Sequence, residues 1–167
     1  MKEYNVKDLV ITSLFIALVF VFTWLVKIQL PFAPNGGLIH LGNVPFFLAA
    51  IFLDKRIGMT AGALGMGIFD LTSGWAMWSP MTVISALIMG YILNKFNYKH
   101  LKFENLLLSF VLVAIVKVLV YYIGEVFILS SLVTPLASIP GNIIQIAVSS
   151  VIVLVVLKPM EKVFKSI

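Results

Sequence analysis

The residues best suited to chemistry lie in one short stretch, FDLTSGWAMWSP, between two long apolar runs. It contains the carboxylate of Asp70 and the indole rings of Trp75 and Trp78. A carboxylate accepts hydrogen bonds and an indole packs against flat rings, so the three side chains are suited to binding a small polar aromatic molecule. Taken alone, the two tryptophans are equally typical of the aromatic belt at a membrane surface.

Other polar side chains stand in the same chain at spacings that a helix would align. Lys117, Tyr121 and Glu125 follow one another at intervals of four residues, which places them on one face of a helix. The remaining candidates lie near the starts of predicted helices: His40, Asn43, Asn142 and Gln145.

The amino-acid composition indicates whether these polar side chains belong to a soluble or a membrane protein. Of the 167 residues, 61% are hydrophobic and 11% are charged, whereas about a quarter of a soluble domain is charged. These values indicate an all-α integral membrane protein. The length has room for about six spans and for no separate soluble domain, so we predict a single domain over residues 1–167.

The apolar runs predict a bundle of six transmembrane helices, at residues 6–26, 41–53, 57–72, 80–97, 104–129 and 140–157. Pro45, Pro80 and Pro140 fall in first turns, where the missing N–H is tolerated. Gly58 and Gly62 form a GxxxG pair, which is more typical of close helix packing than of a ligand site.

The basic residues predict the orientation of the bundle. With the N-terminus inside, ten of the 12 basic residues lie on the inner side, Lys27 lies outside and Lys117 lies within the fifth helix. The positive-inside rule therefore predicts that both termini are cytoplasmic. Because the basic residues separate apolar runs and form no patch, no nucleic-acid partner is expected.

This orientation brings the candidate binding residues to the outer half of the bundle. A charged group at membrane depth normally faces a cavity or a partner. We therefore expect an outward-facing pocket for a small, partly aromatic, polar solute.

Simpler interpretations stay open at this point. Asp70 and Lys117 could form a structural ion pair, and His40 and Asn142 could cap helices. Glu125 could lie among the lipid headgroups with no specific function.

Motifs for catalysis are absent from the sequence. It contains no GxxxxGK[ST], HExxH or GxSxG and no cysteine, and its two histidines fall on opposite sides of the predicted membrane. Neither an enzyme, nor a metal site, nor a cofactor is expected. We also find no inverted repeat of three helices, the sign of many self-sufficient transporters, so the chain is expected to depend on a partner.

Three motifs within residues 36–92 resemble a known family: IHLGN, LDKRIGMTAG and FDLTSGWAMWSP. They are similar to the substrate-binding S components of energy-coupling factor (ECF) vitamin transporters. The similarity is greatest to the branch associated with hydroxymethylpyrimidine and pyridoxine, which is related to riboflavin S components.

The resemblance implies a six-helix protein of the prokaryotic plasma membrane that captures a vitamin from outside. It implies as partners a transmembrane coupling subunit of the EcfT type and two cytoplasmic ATPases. The AxxxA-like motif that docks S components on the coupling subunit corresponds here to Ser13 and Ala17. The loop that acts as a gate corresponds to residues 27–37.

The resulting hypothesis is an S component for pyridoxine or hydroxymethylpyrimidine, with pantothenate or riboflavin as alternatives. Trp75 and Trp78 would hold the ring, and Lys117 with Tyr121 would close the pocket floor. Hydrogen bonds would come from the remaining candidates: Asp70, His40, Asn43, Asn142 and Gln145. Two other classes are a stand-alone permease and a scaffold protein that binds a subunit through its glycine face.

Overall fold

The chain forms a bundle of α-helices joined by short connections, as seen in a computed structural model that describes residues 5–29, 38–96 and 102–165. The helices are α1 (Val6–Leu25), α2 (Asn43–Phe52), α3 (Lys55–Thr72), α4 (Ser79–Lys95), α5 (Phe103–Leu129) and α6 (Ile139–Lys165). Two 3₁₀ turns, Ala76–Trp78 and Thr134–Ser138, lead into α4 and α6. The helical part of the predicted fold class is confirmed.

Four of these segments are long and apolar enough to cross a membrane: Val6–Leu25, Ala76–Lys95, Phe103–Leu129 and Thr134–Phe164. By contrast, α2 has only ten residues, which is about half of what a bilayer requires. The composition and these four helices agree on a membrane protein. The predictions that the chain crosses the membrane six times and that both termini are cytoplasmic stay predictions.

The shortest helix lies at the centre of the bundle. Every residue of α2 is buried, including Phe46, Phe47 and Ile51. This helix packs against α1, α3, α4 and α6, and Phe47 stacks on Phe110 of α5 with ring centroids 5.9 Å apart. A helix that is apolar all round is stable only when surrounded, so α2 forms the core around which the longer helices are arranged.

The glycines of α3 allow the close approach of α2. A Cβ atom added at Gly58 would collide with the backbone of Ala50, and one at Gly62 would collide with the ring of Phe46. The predicted packing role of the GxxxG pair is therefore confirmed.

Two features of the fold differ from the sequence-based prediction. A short β-hairpin joins α1 to α2, in which β1 (Lys27–Gln29) pairs antiparallel with β2 (Leu38–His40). The gate expected at residues 27–37 lies mostly outside the described residues. In addition, α6 continues through Pro159 to Lys165, beyond the predicted end at residue 157. The predicted end of the fourth helix at residue 97 is also outside the described part.

Replacing Gly62 with leucine tests the packing of α2 on α3. We expect Gly62→Leu to destabilise the protein by about 1–3 kcal/mol, because the new side chain must displace the buried ring of Phe46. Thermal unfolding in detergent measures this loss. Leu64→Ala, on an exposed face of the same helix, is the control, and an unchanged melting temperature for Gly62→Leu would contradict the packing account.

Candidate functional site

A cavity opens where the hairpin, the two 3₁₀ turns and the ends of three helices meet. It encloses about 480 Å³ of space between protein atoms, including its open mouth. The lining residues come from β2, α3, both turns, α5 and α6: Leu38, His40, Asp70, Trp75, Trp78, Lys117, Tyr121, Glu125, Ser138, Gly141, Asn142 and Gln145. Eight of the nine residues predicted to bind substrate lie in this lining, and Asn43 is the exception.

The two tryptophans line one wall of the cavity at the turn after α3. The chain reverses at Gly74, whose φ of +85° favours glycine, and the Trp75 amide donates a 3.0 Å hydrogen bond to the carbonyl of Asp70. The indoles of Trp75 and Trp78 pack edge to face, with centroids 5.5 Å apart. Both are half-buried, whereas Trp24 on α1 is 54% exposed. Both indoles belong to the cavity lining.

The carboxylate of Asp70 is held by a hydroxyl of the next helix. Thr82 of α4 donates to Asp70 Oδ2, and the same hydroxyl is hydrogen-bonded to the phenol of Tyr121. Asp70 is buried, and this chain of polar groups joins α3, α4 and α5 beside the cavity. Although both residues belong to the described part, Asp70 and Lys117 form no direct ion pair.

A lysine from the middle of α5 supplies the cavity with a positive charge. Lys117 is 2% exposed, and its ammonium nitrogen lies 4.1 Å from the centroid of the Tyr121 ring. Cation–π attraction compensates part of the cost of burying this charge. An ammonium group has three N–H donors, so Lys117 can still donate to an acceptor in the cavity.

Glu125 is a part of the site that the sequence interpretation missed. Its carboxylate is 2% exposed and accepts hydrogen bonds from Trp78 Nε1, at 3.1 Å, and from the hydroxyl of Ser138. Glu125 therefore makes specific contacts within the protein, and its level in the membrane stays a prediction. Its position in the stripe with Lys117 and Tyr121 was the available signal.

His40 ends the hairpin and lines the cavity as a neutral ring. Its Nδ1 accepts a 3.2 Å hydrogen bond from the amide of Gly42, which leaves Nε2 as the N–H donor. Burial, and secondarily the charge of Lys117, lowers the pKa of His40 to about 3. Gly42 is the N-cap residue of α2, and the His40 side chain accepts a hydrogen bond from its amide without occupying the cap position itself.

The amides predicted to contact substrate occupy two different places. Asn142 and Gln145 line the cavity from α6, and the buried side-chain nitrogen of Gln145 has no hydrogen-bond partner among the described residues. Asn43 is fully buried outside the cavity lining, and in the part of the chain that the structure describes neither of its side-chain amide atoms has a partner. An unpaired amide costs about 1–3 kcal/mol, so Gln145 in particular favours a site that is completed by a ligand.

The predicted docking residues lie on a different surface. Ser13 and Ala17 are exposed on one face of α1, and the Ser13 hydroxyl donates to the carbonyl of Leu9, at 2.9 Å. Within the described segments, no three His, Cys, Asp or Glu side chains are grouped as a metal site would require.

Comparisons with known proteins agree with this fold. The sequence profile of a family described as "ECF-type riboflavin transporter, S component" matches residues 3–162. The chain also superposes on the S component of a bacterial ECF transporter with a TM-score of 0.69, at 21% sequence identity, over 95% of this chain and 98% of that one. At this identity the structural match shows a shared fold. No curated protein matches the chain.

Buried, neutral His40 predicts a dependence of stability on pH. An exposed histidine has a pKa of about 6.5, so below that pH His40 binds a proton in the unfolded chain but stays neutral in the folded protein. The stabilisation is complete above pH 6.5 and is lost as the pH falls towards 3. We expect the loss to reach about 2 kcal/mol near pH 5.

Melting curves of the wild type and of His40→Gln, recorded in detergent from about pH 8 to about pH 5, test this expectation. The wild type should lose its advantage over the variant as the pH falls. The other histidine, His100, is present in both proteins and cancels in the comparison. A difference in melting temperature that is constant with pH would contradict the burial of a neutral His40.

Proposed function

This chain belongs to the ECF-type riboflavin transporter S component family, and we propose that it captures a small heteroaromatic vitamin or vitamin precursor from outside the cell. Family membership identifies it as a substrate-binding transport subunit of the membrane. The observation that carries the proposal is the cavity that combines two indoles with a buried ammonium and two buried carboxyl groups. Such a combination is typical of a site for a flat polar ligand.

The ring of the ligand would lie against Trp75 and Trp78. The two indoles pack edge to face with centroids 5.5 Å apart, and both belong to the cavity lining. Lys117, on the face of the Tyr121 ring, belongs to the same cavity lining. A flat ring in this cavity would contact aromatic groups and a hydrogen-bond donor.

Polar substituents on that ring would complete the hydrogen bonds of the cavity. The Gln145 side-chain nitrogen and the Lys117 ammonium could donate hydrogen bonds to acceptors on the ligand. Asp70 could accept a hydrogen bond from a donor on the ligand. Hydroxymethyl groups on a heteroaromatic ring provide both functions. Asn142 and His40 are the other proposed contacts, and Asn43 stays a proposed binding residue without a place in the lining.

The charges of the cavity lining favour some vitamins over others as the ligand. One ammonium and two carboxyl groups in the cavity give no surplus of positive charge, which disfavours an anion such as pantothenate. We propose pyridoxine or hydroxymethylpyrimidine, single rings with hydroxymethyl groups, as the ligand. Riboflavin is the second candidate, supported by the description of the family.

Delivery would depend on partner subunits. We propose that both termini face the cytoplasm, that the cavity opens outward, and that a coupling subunit of the EcfT type with two ATPases drives release inside. Ser13 and Ala17, small and exposed on α1, would form the docking surface. The plasma membrane of a prokaryote is the proposed location.

Substitution of Asp70 tests the site. Asp70→Asn keeps an oxygen that can accept from Thr82 but removes the charge, so we expect vitamin affinity to fall by about tenfold to a hundredfold. Calorimetric titration of purified protein with pyridoxine, hydroxymethylpyrimidine, riboflavin and pantothenate measures this change.

The matched control is Thr72→Ala, an exposed position at the end of the same helix. It should bind like the wild type. If the wild type shows no saturable binding to any of the four compounds, the proposed function is wrong.

A bulky residue on α1 tests the docking surface. Ala17→Trp should reduce co-purification with the coupling subunit and abolish uptake, while vitamin affinity stays at the wild-type value, because Ala17 is exposed and does not belong to the cavity lining. Leu119→Trp, exposed on α5, is the control for added bulk. Normal assembly of Ala17→Trp would place the docking surface elsewhere.

A further inference from the structure

We infer that Glu125 is a positioning residue that fixes the indole of Trp78 in the cavity wall by joining the two 3₁₀ turns that border the cavity. Trp78 ends the turn between α3 and α4, and Ser138 ends the turn between α5 and α6. Glu125 on α5 accepts a hydrogen bond from each of them. Its effect on ligand binding rests on the proposed function, but its effect on Trp78 does not.

Each oxygen of the Glu125 carboxylate accepts a hydrogen bond from a different turn. Oε1 accepts from Trp78 Nε1, at 3.1 Å, and Oε2 accepts from the Ser138 hydroxyl. The carboxylate therefore cannot rotate without breaking a bond to one of the turns. The contact with Trp78 spans 47 residues of sequence, so it joins parts of the chain that no local hydrogen bond connects.

The turn that carries Trp78 needs this support. It is only three residues long and has no side-chain cap. Its backbone bond, from the Trp78 amide to the Trp75 carbonyl at 2.9 Å, fixes the main chain but not the indole. Trp78 is half-buried, so without Glu125 its ring would be held by the edge-to-face contact with Trp75 and could turn more readily towards the surroundings.

A carboxylate is the appropriate group for this task. Hydrogen bonds to a charged acceptor are about twice as strong as those between neutral groups. Burying a carboxylate is costly unless its oxygens are paired, and Glu125, at 2% exposure, has both oxygens engaged. Glutamine would retain one good acceptor, whereas alanine would release both turns.

Fluorescence of a protein with Trp78 as its single tryptophan tests the inference without any ligand. The chain has three tryptophans, so Trp24→Phe and Trp75→Phe provide this background. Adding Glu125→Ala should increase quenching by acrylamide several-fold, and Glu125→Gln should remain near the parent. Glu104→Ala, at the exposed start of the same helix, is the matched control and should change nothing. Equal quenching in all four proteins would overturn the inference.

Ligand release then measures the consequence for binding. In the otherwise native chain, Glu125→Ala should raise the dissociation rate of the bound vitamin by about tenfold, with a smaller change in the association rate. Trp78→Phe keeps an aromatic ring but removes the N–H donor, so it should have a similar effect. It also supplies the test if Glu125→Ala does not fold.

The double variant separates a shared contact from two independent ones. If Glu125 acts through the indole N–H, Glu125→Ala with Trp78→Phe should release the vitamin little faster than either single variant. Multiplied effects would overturn the inference.

A wild type that binds no vitamin, with quenching as expected, would contradict the proposed function alone. If Glu125→Ala leaves the quenching of Trp78 unchanged while the wild type binds the vitamin, the proposed role of Glu125 is wrong and the proposed function stands.

Discussion

The structure depends on the need to compensate the charged groups that α5 carries into an apolar bundle. Lys117 and Glu125 are both 2% exposed on this helix, and an ionised group at such a depth is costly unless neighbours compensate its charge. The neighbours are the ring of Tyr121 for the lysine, and Trp78 with Ser138 for the glutamate. Trp78 and Ser138 belong to the two 3₁₀ turns that lead into α4 and α6, so pairing the Glu125 carboxylate brings both turns to α5, and the cavity forms beside them.

Apolar packing elsewhere provides a rigid base for this polar end. The fully buried α2 fills the centre of the bundle, and glycines of α3 bring the two helices into backbone contact. The cavity walls, in contrast, include a hairpin and two 3₁₀ turns. A binding site whose walls are short connections on a packed base can admit and release a ligand while the helices keep their positions.

The sequence predicted the helices and most of the cavity because both follow from local spacing. The interval of four residues aligned Lys117 with Tyr121, and the orientation of the helices brought Asp70 to the same level. The hairpin was missed because strands of three residues carry almost no pattern. Glu125 was missed because its partner Trp78 is 47 positions away, and such a contact depends on packing that spacing does not encode. The end of α6 was missed because Pro159 normally terminates a helix, yet α6 continues through it.

Mass spectrometry of small molecules that co-purify with the chain tests the central claim most directly. The full-length protein and the Asp70→Ala variant would be isolated side by side from cells grown with vitamins, and their bound compounds would be extracted and identified. The account predicts one heteroaromatic vitamin or precursor, in a ratio near one molecule per wild-type chain and strongly depleted from the variant. Recovery of no such compound, or of equal amounts from both proteins, would contradict it.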